Sequence, residues 1–184
     1  MVQYSIKRIK MLKRETKIQG CFIIVPEVFY DFRGEYVETW QKNYYQHLLP
    51  ENVEFVQDDF SVSRKGVLRG LHGDPQTWKL VQCPMGELLL GVLDVRDGSP
   101  TRGVWELFPL NEKNRWQVLI PAGCANGHLC LSDKCMFDYK QTTFYDQQKQ
   151  FSYYYNSGGI IWPVPRWFLS GISERDANAP TWIP

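Results

Sequence analysis

One short segment of this chain carries two residue types suited to proton transfer and anion binding. His72 follows Arg69 within Val67–Asp74, so a single run brings an imidazole and a guanidinium to one region. A neutral imidazole, with a reference pKa of ~6.5, can accept a proton near pH 7. Positions 69 and 72 of a regular strand face opposite sides, so we predict that Gly70 forms a bulge that turns both side chains inward. A core histidine with the arginine at its rim is the alternative.

A second histidine, His128, raises the question of a metal site. It ends the segment Ile120–His128, which begins with a proline–glycine turn. A metal-binding double-stranded β-helix would need an HxH pair and a further histidine after such a turn. The chain has no HxH pair, and Asn126 occupies the position of that further histidine. The sequence therefore predicts no metal site.

A lysine and a tyrosine add possible partners for proton chemistry. The run Cys135–Phe144 alternates in a way that places Phe137 and Tyr139 on one face, which we predict to be the inner face. An inward phenol can donate a proton, although a core tyrosine is the simpler interpretation. Lys79 opens an apolar run, and such a lysine often only extends its amine to the rim.

Several common catalytic motifs are missing from the sequence. It contains no GxGxxG, P-loop, GxSxG or HExxH pattern. Their absence argues against a self-contained NAD enzyme, an NTP hydrolase, and the serine or zinc hydrolases that use those motifs. Cofactor-free catalysis, ligand binding and a scaffold role remain.

The elements that must position these residues are mostly strands. Turn signals recur about every ten residues, and short β-rich runs lie between them, a pattern typical of a sandwich or barrel. Helical spacing is confined to Thr39–Leu49, with one more helical turn expected at Ser173–Asp176. We predict one all-β domain with minor helices over residues 1–184. The clearest predicted strands are Leu88–Val95, Val104–Leu110, Trp116–Ile120 and Met136–Phe144.

The net charge of +1 hides an uneven distribution of charge. Six of the 21 lysines and arginines, and one of the 20 acids, precede residue 18, which leaves 15 basic and 19 acidic residues in the remainder. Such a body does not favour nucleic-acid binding, and an anionic ligand would depend on a few placed arginines. We interpret the basic start as a solvated strand edge or arm.

Cysteine usage and hydropathy indicate the cellular compartment. The five cysteines are odd in number and form no CxxC pair, which favours reduced thiols over a disulfide framework. Met1–Gly20 lacks the apolar region of a signal peptide, and no apolar run approaches the ~20 residues of a membrane helix. The sequence therefore predicts a soluble, cytoplasmic protein.

Taken together, these segments resemble the dTDP-4-dehydrorhamnose 3,5-epimerase family from Phe29 to Pro180. Each landmark is weak alone, but their order and spacing are specific. The landmarks are Phe29–Gly34 with Glu38, Phe55–Asp59, Arg69–His72, Lys79–Val81, Asp94–Arg96, Gly98–Thr101, Ile120–Gly123, Tyr139–Lys140 and Ser173–Asp176.

The resemblance implies a fold and an activity. The fold would be a cupin-like double-stranded β-helix, or jelly-roll barrel, usually a homodimer that adds an N-terminal strand to its partner's sheet. The activity would be cofactor-free and metal-free inversion of C3, C5 or both in a nucleotide-linked 4-keto sugar, as in deoxysugar or heptose synthesis for surface polysaccharides.

The resemblance also implies roles for individual residues. His72 resembles the catalytic base, oriented by Asp176. Lys79 resembles the group that stabilises the enolate, and Tyr139 the acid on the opposite face of the sugar. The implied nucleotide or substrate contacts are Phe29, Arg33, Glu38, Gln57, Arg69, Asn126, His128 and Tyr145.

Several positions depart from the family pattern and bear on specificity. Asn126 replaces the usual histidine of its turn, with His128 two residues later, and Gly73 and Asp74 replace a common aromatic–glutamine pair. Leu90 stands where aspartate is common and Asp59 where asparagine is. The segments His72–Asp74 and Asn126–His128 are similar to those of relatives acting on GDP-linked 4-keto heptoses, so GDP- and dTDP-linked substrates are both expected candidates.

Two other functions fit part of the pattern. A sugar-nucleotide 3,4-ketoisomerase would form the same enolate without needing an acid on the opposite face, so Tyr139 and Asp176 favour epimerisation. A non-catalytic sugar-nucleotide binder would not need the full set of His72, Asp176, Lys79 and Tyr139.

Overall fold

A computed structural model describes residues 11–184, which form two antiparallel sheets and a separate hairpin. The first four strands form two local antiparallel pairs, and the later strands alternate between the two sheets except for β8 and β9, which pair within one sheet. The strands are β1 (Leu12–Glu15), β2 (Phe22–Val25), β3 (Val28–Asp31), β4 (Gly34–Val37), β5 (Gln57–Arg64), β6 (Leu68–Gly73), β7 (Lys79–Gln82), β8 (Glu87–Asp94), β9 (Trp105–Asn111), β10 (Gln117–Ile120), β11 (Cys124–Cys130), β12 (Lys134–Gln141) and β13 (Phe151–Ser152).

The sheet order brings strands that are distant in sequence side by side. The six-stranded sheet runs β1-β2-β10-β7-β12-β5, and the five-stranded sheet runs β13-β6-β11-β8-β9. Among the strands of residues 11–184, β3 and β4 pair only with each other. Such an arrangement of two facing sheets confirms the predicted all-β, cupin-like barrel.

The core between the two sheets explains why so many strand residues are apolar. Val81 and Val118 of one sheet share a fully buried cluster with Leu90 and Phe108 of the other. Burying one such side chain contributes roughly 1.5–3 kcal/mol. The outer faces are covered as well. Ile160, Trp162 and Trp182 pack on the five-stranded sheet, and Tyr45 and Leu49 pack on the six-stranded sheet.

One of the two predicted helical segments is longer than the helix that the structure contains there. Within the predicted Thr39–Leu49, the α-helix α1 covers only Lys42–Tyr45, followed by a 3-10 turn at Gln46–Leu48. No side chain caps the start of α1, and Pro50 follows closely, so a longer helix gains little support. The turn predicted near Ser173 is confirmed as α2 (Glu174–Ala177), with Ser173 as its cap.

One predicted strand ends early. The run Met136–Phe144 was expected to be continuous, but β12 stops at Gln141. Just beyond its end, the Thr142 hydroxyl accepts a hydrogen bond from the Trp78 backbone N–H at 2.9 Å. The other three predicted strands are confirmed within one residue at each end.

The basic N-terminal segment is only partly described. Lys13 and Arg14 lie on β1, an exposed edge strand that pairs with β2 of the same chain, as the interpretation of a solvated strand edge predicts. Residues 1–10 lie outside the described residues, and the exchange of an N-terminal strand with a partner stays a prediction. Within residues 11–184, no helix is long and apolar enough to cross a membrane.

Candidate active site

A cavity of about 220 Å³ lies between the two sheets and gathers most of the predicted chemistry. The five-stranded sheet contributes residues of β6 and β11, and the six-stranded sheet contributes residues of β5, β7 and β12. The lining residues are Phe60, Ser61, Arg69, His72, Lys79, Asn126, Gly127, His128, Phe137 and Tyr139.

The predicted bulge at Gly70 is present. His72 pairs with Asn126, but Arg69 pairs with His128, so β6 holds one residue more than β11 over this stretch. Gly70 has φ +115°, and a Cβ there would lie 2.6 Å from the Gly127 Cα. Only glycine fits that position without strain. The extra residue brings both Arg69 and His72 to the cavity.

His72 is held by a carboxylate from the far end of the chain. Its Nε2 lies 2.6 Å from Oδ1 of Asp176, the third residue of α2. The other carboxylate oxygen accepts the Gly70 backbone N–H at 3.0 Å. Burial raises the pKa of Asp176, but the hydrogen bonds from His72 and Gly70 outweigh it, so the net pKa is lowered. Asp176 is therefore ionised at neutral pH, and it bonds a ring nitrogen of His72.

A lysine and a tyrosine face this pair from the other sheet. Lys79 Nζ lies 5.4 Å from the centre of the Tyr139 ring. Burial lowers the pKa of Lys79 to about 8, although the Asp74 and Asp59 carboxylates oppose the shift. Burial, followed by the charge of Asp59, raises the pKa of Tyr139 to about 12. At pH 7 the cavity thus holds an ammonium and a protonated phenol opposite the imidazole, and the predicted inward orientation of Tyr139 is confirmed.

Asn126 and His128, the two residues of β11 that depart from the family pattern, have different contacts. The Asn126 side chain donates a hydrogen bond to the His72 backbone carbonyl at 2.9 Å, so it supports the strand that carries His72. His128 is buried and stacks on Phe137, with ring centres 4.4 Å apart. Burial and the charge of Arg69 lower the pKa of His128 to about 3. His128 is therefore a neutral imidazole at pH 7.

Besides Asn126 and His128, three of the eight predicted nucleotide or substrate contacts lie at or beside this cavity. Arg69 is part of its lining. Gln57 accepts the Tyr145 backbone N–H at 2.8 Å and donates to Asp59 at 2.6 Å. Asp59 is paired across the strands with Tyr139, so Gln57 and Tyr145 lie next to the phenol.

The other three predicted contacts are not brought to the same place. Phe29 and Arg33 belong to the β3–β4 hairpin and line a different cavity, of about 530 Å³. Glu38 lies in a small pocket with Tyr44 and Tyr45. Among the described strands the hairpin pairs with no other strand, and none of its residues is in the lining of the cavity that contains His72.

The sequence analysis does not predict two polar residues of the site, Ser61 and Ser63. Ser63 is buried and contacts both Arg69 and His128. Its signal was the alternation of β5, where Gln57, Asp59, Ser61 and Ser63 share one face. Four polar residues with a period of two indicate a solvated face, and here that face lines a cavity instead. Among residues 11–184, no group of three or more histidine, cysteine or acidic side chains is placed to hold a metal ion.

The fold and the cavity together define the class of this protein. It is a cupin-like barrel in which one sheet carries an imidazole that is bonded to a carboxylate of α2, and the other sheet carries an ammonium and a phenol. This arrangement can remove a proton from one side of a bound molecule, stabilise the negative charge that forms, and supply a proton from the other side.

Comparison with known proteins identifies the family. The family model described as dTDP-4-dehydrorhamnose 3,5-epimerase matches residues 15–183. A protein of that name from Salmonella typhimurium is 38% identical over 175 residues, which cover 92% of this chain and 94% of the relative. The chain belongs to the dTDP-4-dehydrorhamnose 3,5-epimerase family and is an enzyme of the isomerase class.

Solved structures agree in fold. A dTDP-6-deoxy-D-glucose-3,5-epimerase from Legionella pneumophila, in complex with dTDP-4-keto-L-rhamnose, superposes with a TM-score of 0.88 at 39% identity, covering 94% of this chain and 93% of that one. A 3′-monoepimerase from Streptomyces bikiniensis, in complex with dTDP-quinovose, superposes with a TM-score of 0.83 at 30% identity, covering 90% and 85%. The same fold thus serves epimerases named for different numbers of centres.

Proposed function

We propose that this enzyme inverts C3, C5 or both in a nucleotide-diphosphate-linked 4-keto sugar through an enolate. The observation that carries the proposal is the placement of His72 and Asp176 on one side of the cavity, with Lys79 and Tyr139 on the other. A C4 ketone acidifies the hydrogens on both neighbouring carbons, because either carbanion delocalises onto the ketone oxygen. Inversion then requires proton removal and return on opposite faces.

The first step uses His72 as the base. Since the Asp176 carboxylate accepts a hydrogen bond from one ring nitrogen, that nitrogen carries the proton and the other has the free lone pair. The free nitrogen takes the proton from carbon, and the ionised Asp176 stabilises the imidazolium that forms. The electron pair of the broken C–H bond moves onto the ketone oxygen.

The second step uses the facing sheet. The Lys79 ammonium stabilises the enolate oxygen, where negative charge develops. Tyr139 then gives its proton to the carbon from the face opposite His72, and the enolate electrons form the new C–H bond. The cycle closes when the phenolate regains a proton and the imidazolium releases one to solvent.

The substrate's nucleotide would be held by its charge. Arg69 presents a cation to the cavity and makes no ion pair within residues 11–184, and a guanidinium suits the oxygens of a diphosphate. Relatives named for dTDP sugars support dTDP as the nucleotide. A GDP-linked heptose is the second candidate, favoured by Asn126, which here bonds the His72 carbonyl.

We also propose that the enzyme works as a homodimer in the cytoplasm, in deoxysugar or heptose synthesis for surface polysaccharides such as capsule or lipopolysaccharide. The β3–β4 hairpin supports a dimer, because it exposes Tyr30 and Phe32 and keeps Phe29 and Arg33 away from the cavity of its own chain. The five free, buried cysteines fit a reducing compartment.

The decisive experiment offers dTDP-, GDP- and CDP-linked 4-keto sugars to the enzyme in D2O and follows the products by NMR. We expect deuterium at C3, C5 or both, with inverted configuration, from one of these nucleotides. A product with its carbonyl moved to C3 would make the enzyme a 3,4-ketoisomerase. Binding without exchange from all three would make it a sugar-nucleotide binder.

A further inference from the structure

We infer that Ser63 and His128 are positioning residues that hold the Arg69 guanidinium in place for the diphosphate. This inference rests on the proposed function, because it concerns how that substrate is bound. Arg69 Nε lies 3.0 Å from the Ser63 hydroxyl oxygen, and the same oxygen lies 3.3 Å from His128 Nε2. The three side chains form one continuous chain from the core to the cavity.

The donors and acceptors of these three side chains are consistent with one another. A guanidinium has donors and no acceptor, so Arg69 donates and the Ser63 oxygen accepts. The hydroxyl proton of Ser63 is then free to be donated to His128. A neutral His128 can accept it at Nε2 while its Nδ1 keeps the ring proton. The lowered pKa of His128, caused first by burial, keeps this ring neutral at pH 7.

Burial holds Ser63 and His128 rigidly, whereas Arg69 remains available to a ligand. Ser63 is 2% exposed and His128 is 3% exposed, and the His128 ring is nearly parallel to Phe137, with 8° between the planes. Arg69, by contrast, is an exposed residue that lines the cavity. Its Nε is used by Ser63, so its two terminal nitrogens remain free for ligand oxygens among the residues described here.

The hydrogen bonds among Arg69, Ser63 and His128 affect the affinity for ligand, independently of the catalytic steps. A free arginine samples many rotamers, and ordering it on binding reduces affinity. Arg69 is ordered in advance, because its Nε hydrogen bond ends on a hydroxyl that is itself fixed by a buried ring. We therefore expect these hydrogen bonds to lower the Kd for any nucleoside diphosphate, relative to a protein in which Arg69 is not held by Ser63.

The test measures binding of dTDP and GDP by calorimetry, so that catalysis is not involved. Ser63→Thr and Ser63→Val have the same shape and differ only in the hydroxyl. We expect Ser63→Val to raise the Kd by about threefold to tenfold relative to Ser63→Thr, the typical size of one hydrogen bond. His128→Phe keeps a ring against Phe137 but loses the acceptor, so we expect it to raise the Kd relative to the wild type as well.

A second pair of variants separates positioning from a general loss of structure. In an Arg69→Gln background, the difference between Ser63→Val and Ser63→Thr should disappear, because the group that they position is gone. A difference that persists there, or equal Kd values for the two variants in the native background, would overturn the inference. Thermal unfolding of each variant shows that it is folded when binding is measured.

The experiments distinguish failure of the proposed function from failure of the positioning role alone. A wild-type protein that binds neither dTDP nor GDP and exchanges no deuterium would refute both proposals. A wild-type protein that binds nucleotide and exchanges deuterium, with no difference between Ser63→Thr and Ser63→Val, would refute only the positioning role of Ser63 and His128.

Discussion

The imidazole of His72 and the carboxylate of Asp176 are joined by a 2.6 Å hydrogen bond although 104 residues separate them in the chain. The same carboxylate binds the backbone N–H of Gly70, at the bulge that turns His72 into the cavity. One acid thus orients both the base and the backbone that carries it.

Replacing the base should abolish proton removal itself. In His72→Asn, no group remains to take the proton, so we expect loss of both epimerisation and deuterium exchange at every position. Asp176→Asn should still bind nucleotide but lose rate, because the imidazolium is less stabilised and its tautomer is no longer fixed. Exchange followed by NMR and binding followed by calorimetry distinguish the two effects. Wild-type exchange in His72→Asn would show that another group is the base.

Replacing the acid should separate exchange from inversion. Tyr139→Phe leaves His72 and Lys79 in place, so the enolate still forms and His72 returns a proton to the face it came from. Deuterium should then enter with retained configuration, while inversion falls by about 10²–10⁴-fold, the usual contribution of a general acid. NMR of the recovered substrate measures both. Undiminished inversion would mean that a water or another side chain delivers the proton.

The pKa of Lys79 should set the alkaline limit of activity. An ammonium stabilises the enolate only while it is protonated, so kcat should fall as the pH rises through about 8. Burial lowers this pKa and Asp74 opposes the shift, so Asp74→Asn should move the alkaline limb to lower pH. Asp58→Asn is the control, because Asp58 pairs with Lys140 instead. A limb that is unmoved in Asp74→Asn would exclude Lys79 as its origin.

The lowered pKa of Lys79 also has a predictable effect on folding. Its value in the folded protein lies below the ordinary 10.5, so the unfolded chain binds more protons between pH 8 and 10.5. This group therefore makes the free energy of unfolding rise with pH in that window. Lys79→Met should remove this contribution, as urea unfolding at pH 8 and pH 10 would show. An unchanged pH dependence in the variant would contradict the assigned pKa.

Substitution of Gly70 should cost more than an ordinary glycine with positive φ. A Cβ at Gly70 would meet the Asn126 carbonyl oxygen at 2.8 Å as well as the Gly127 Cα. At Gly98, φ is +75° but nothing lies within 4 Å, so Gly98→Ala shows the backbone cost alone, about 1–2 kcal/mol. Urea unfolding should find Gly70→Ala less stable than Gly98→Ala. Equal losses would mean that β6 relaxes without strain.

The sequence predicted those features that depend on neighbouring residues. Alternation placed Tyr139 inside, and the glycine between Arg69 and His72 predicted the bulge that the register confirms. Local pattern could not show that Asp176 reaches His72, since that contact depends on how the whole chain returns to β6. Only the family resemblance predicted that pairing.

The predictions that differ from the structure concern the helix, the end of β12 and Ser63, and each depends on contacts that the local pattern does not contain. The helix predicted at Thr39–Leu49 is short, since no side chain of residues 11–184 caps its start. Strand β12 ends at Gln141, and the next residue, Thr142, accepts the Trp78 N–H with its side chain. Ser63 was overlooked because a polar strand face predicts water, whereas here it meets a cavity enclosed by the other sheet.

Because Asp176 follows every described strand in the chain, the order of synthesis matters for this enzyme. A ribosome produces the barrel from its first strand onward, and β13 ends at Ser152. The residues of both sheets, and of the cavity between them, are therefore synthesised before the carboxylate that orients the base. Translation that stops between these two points would yield a chain with His72 but without its partner, and without Trp182, which packs on the five-stranded sheet.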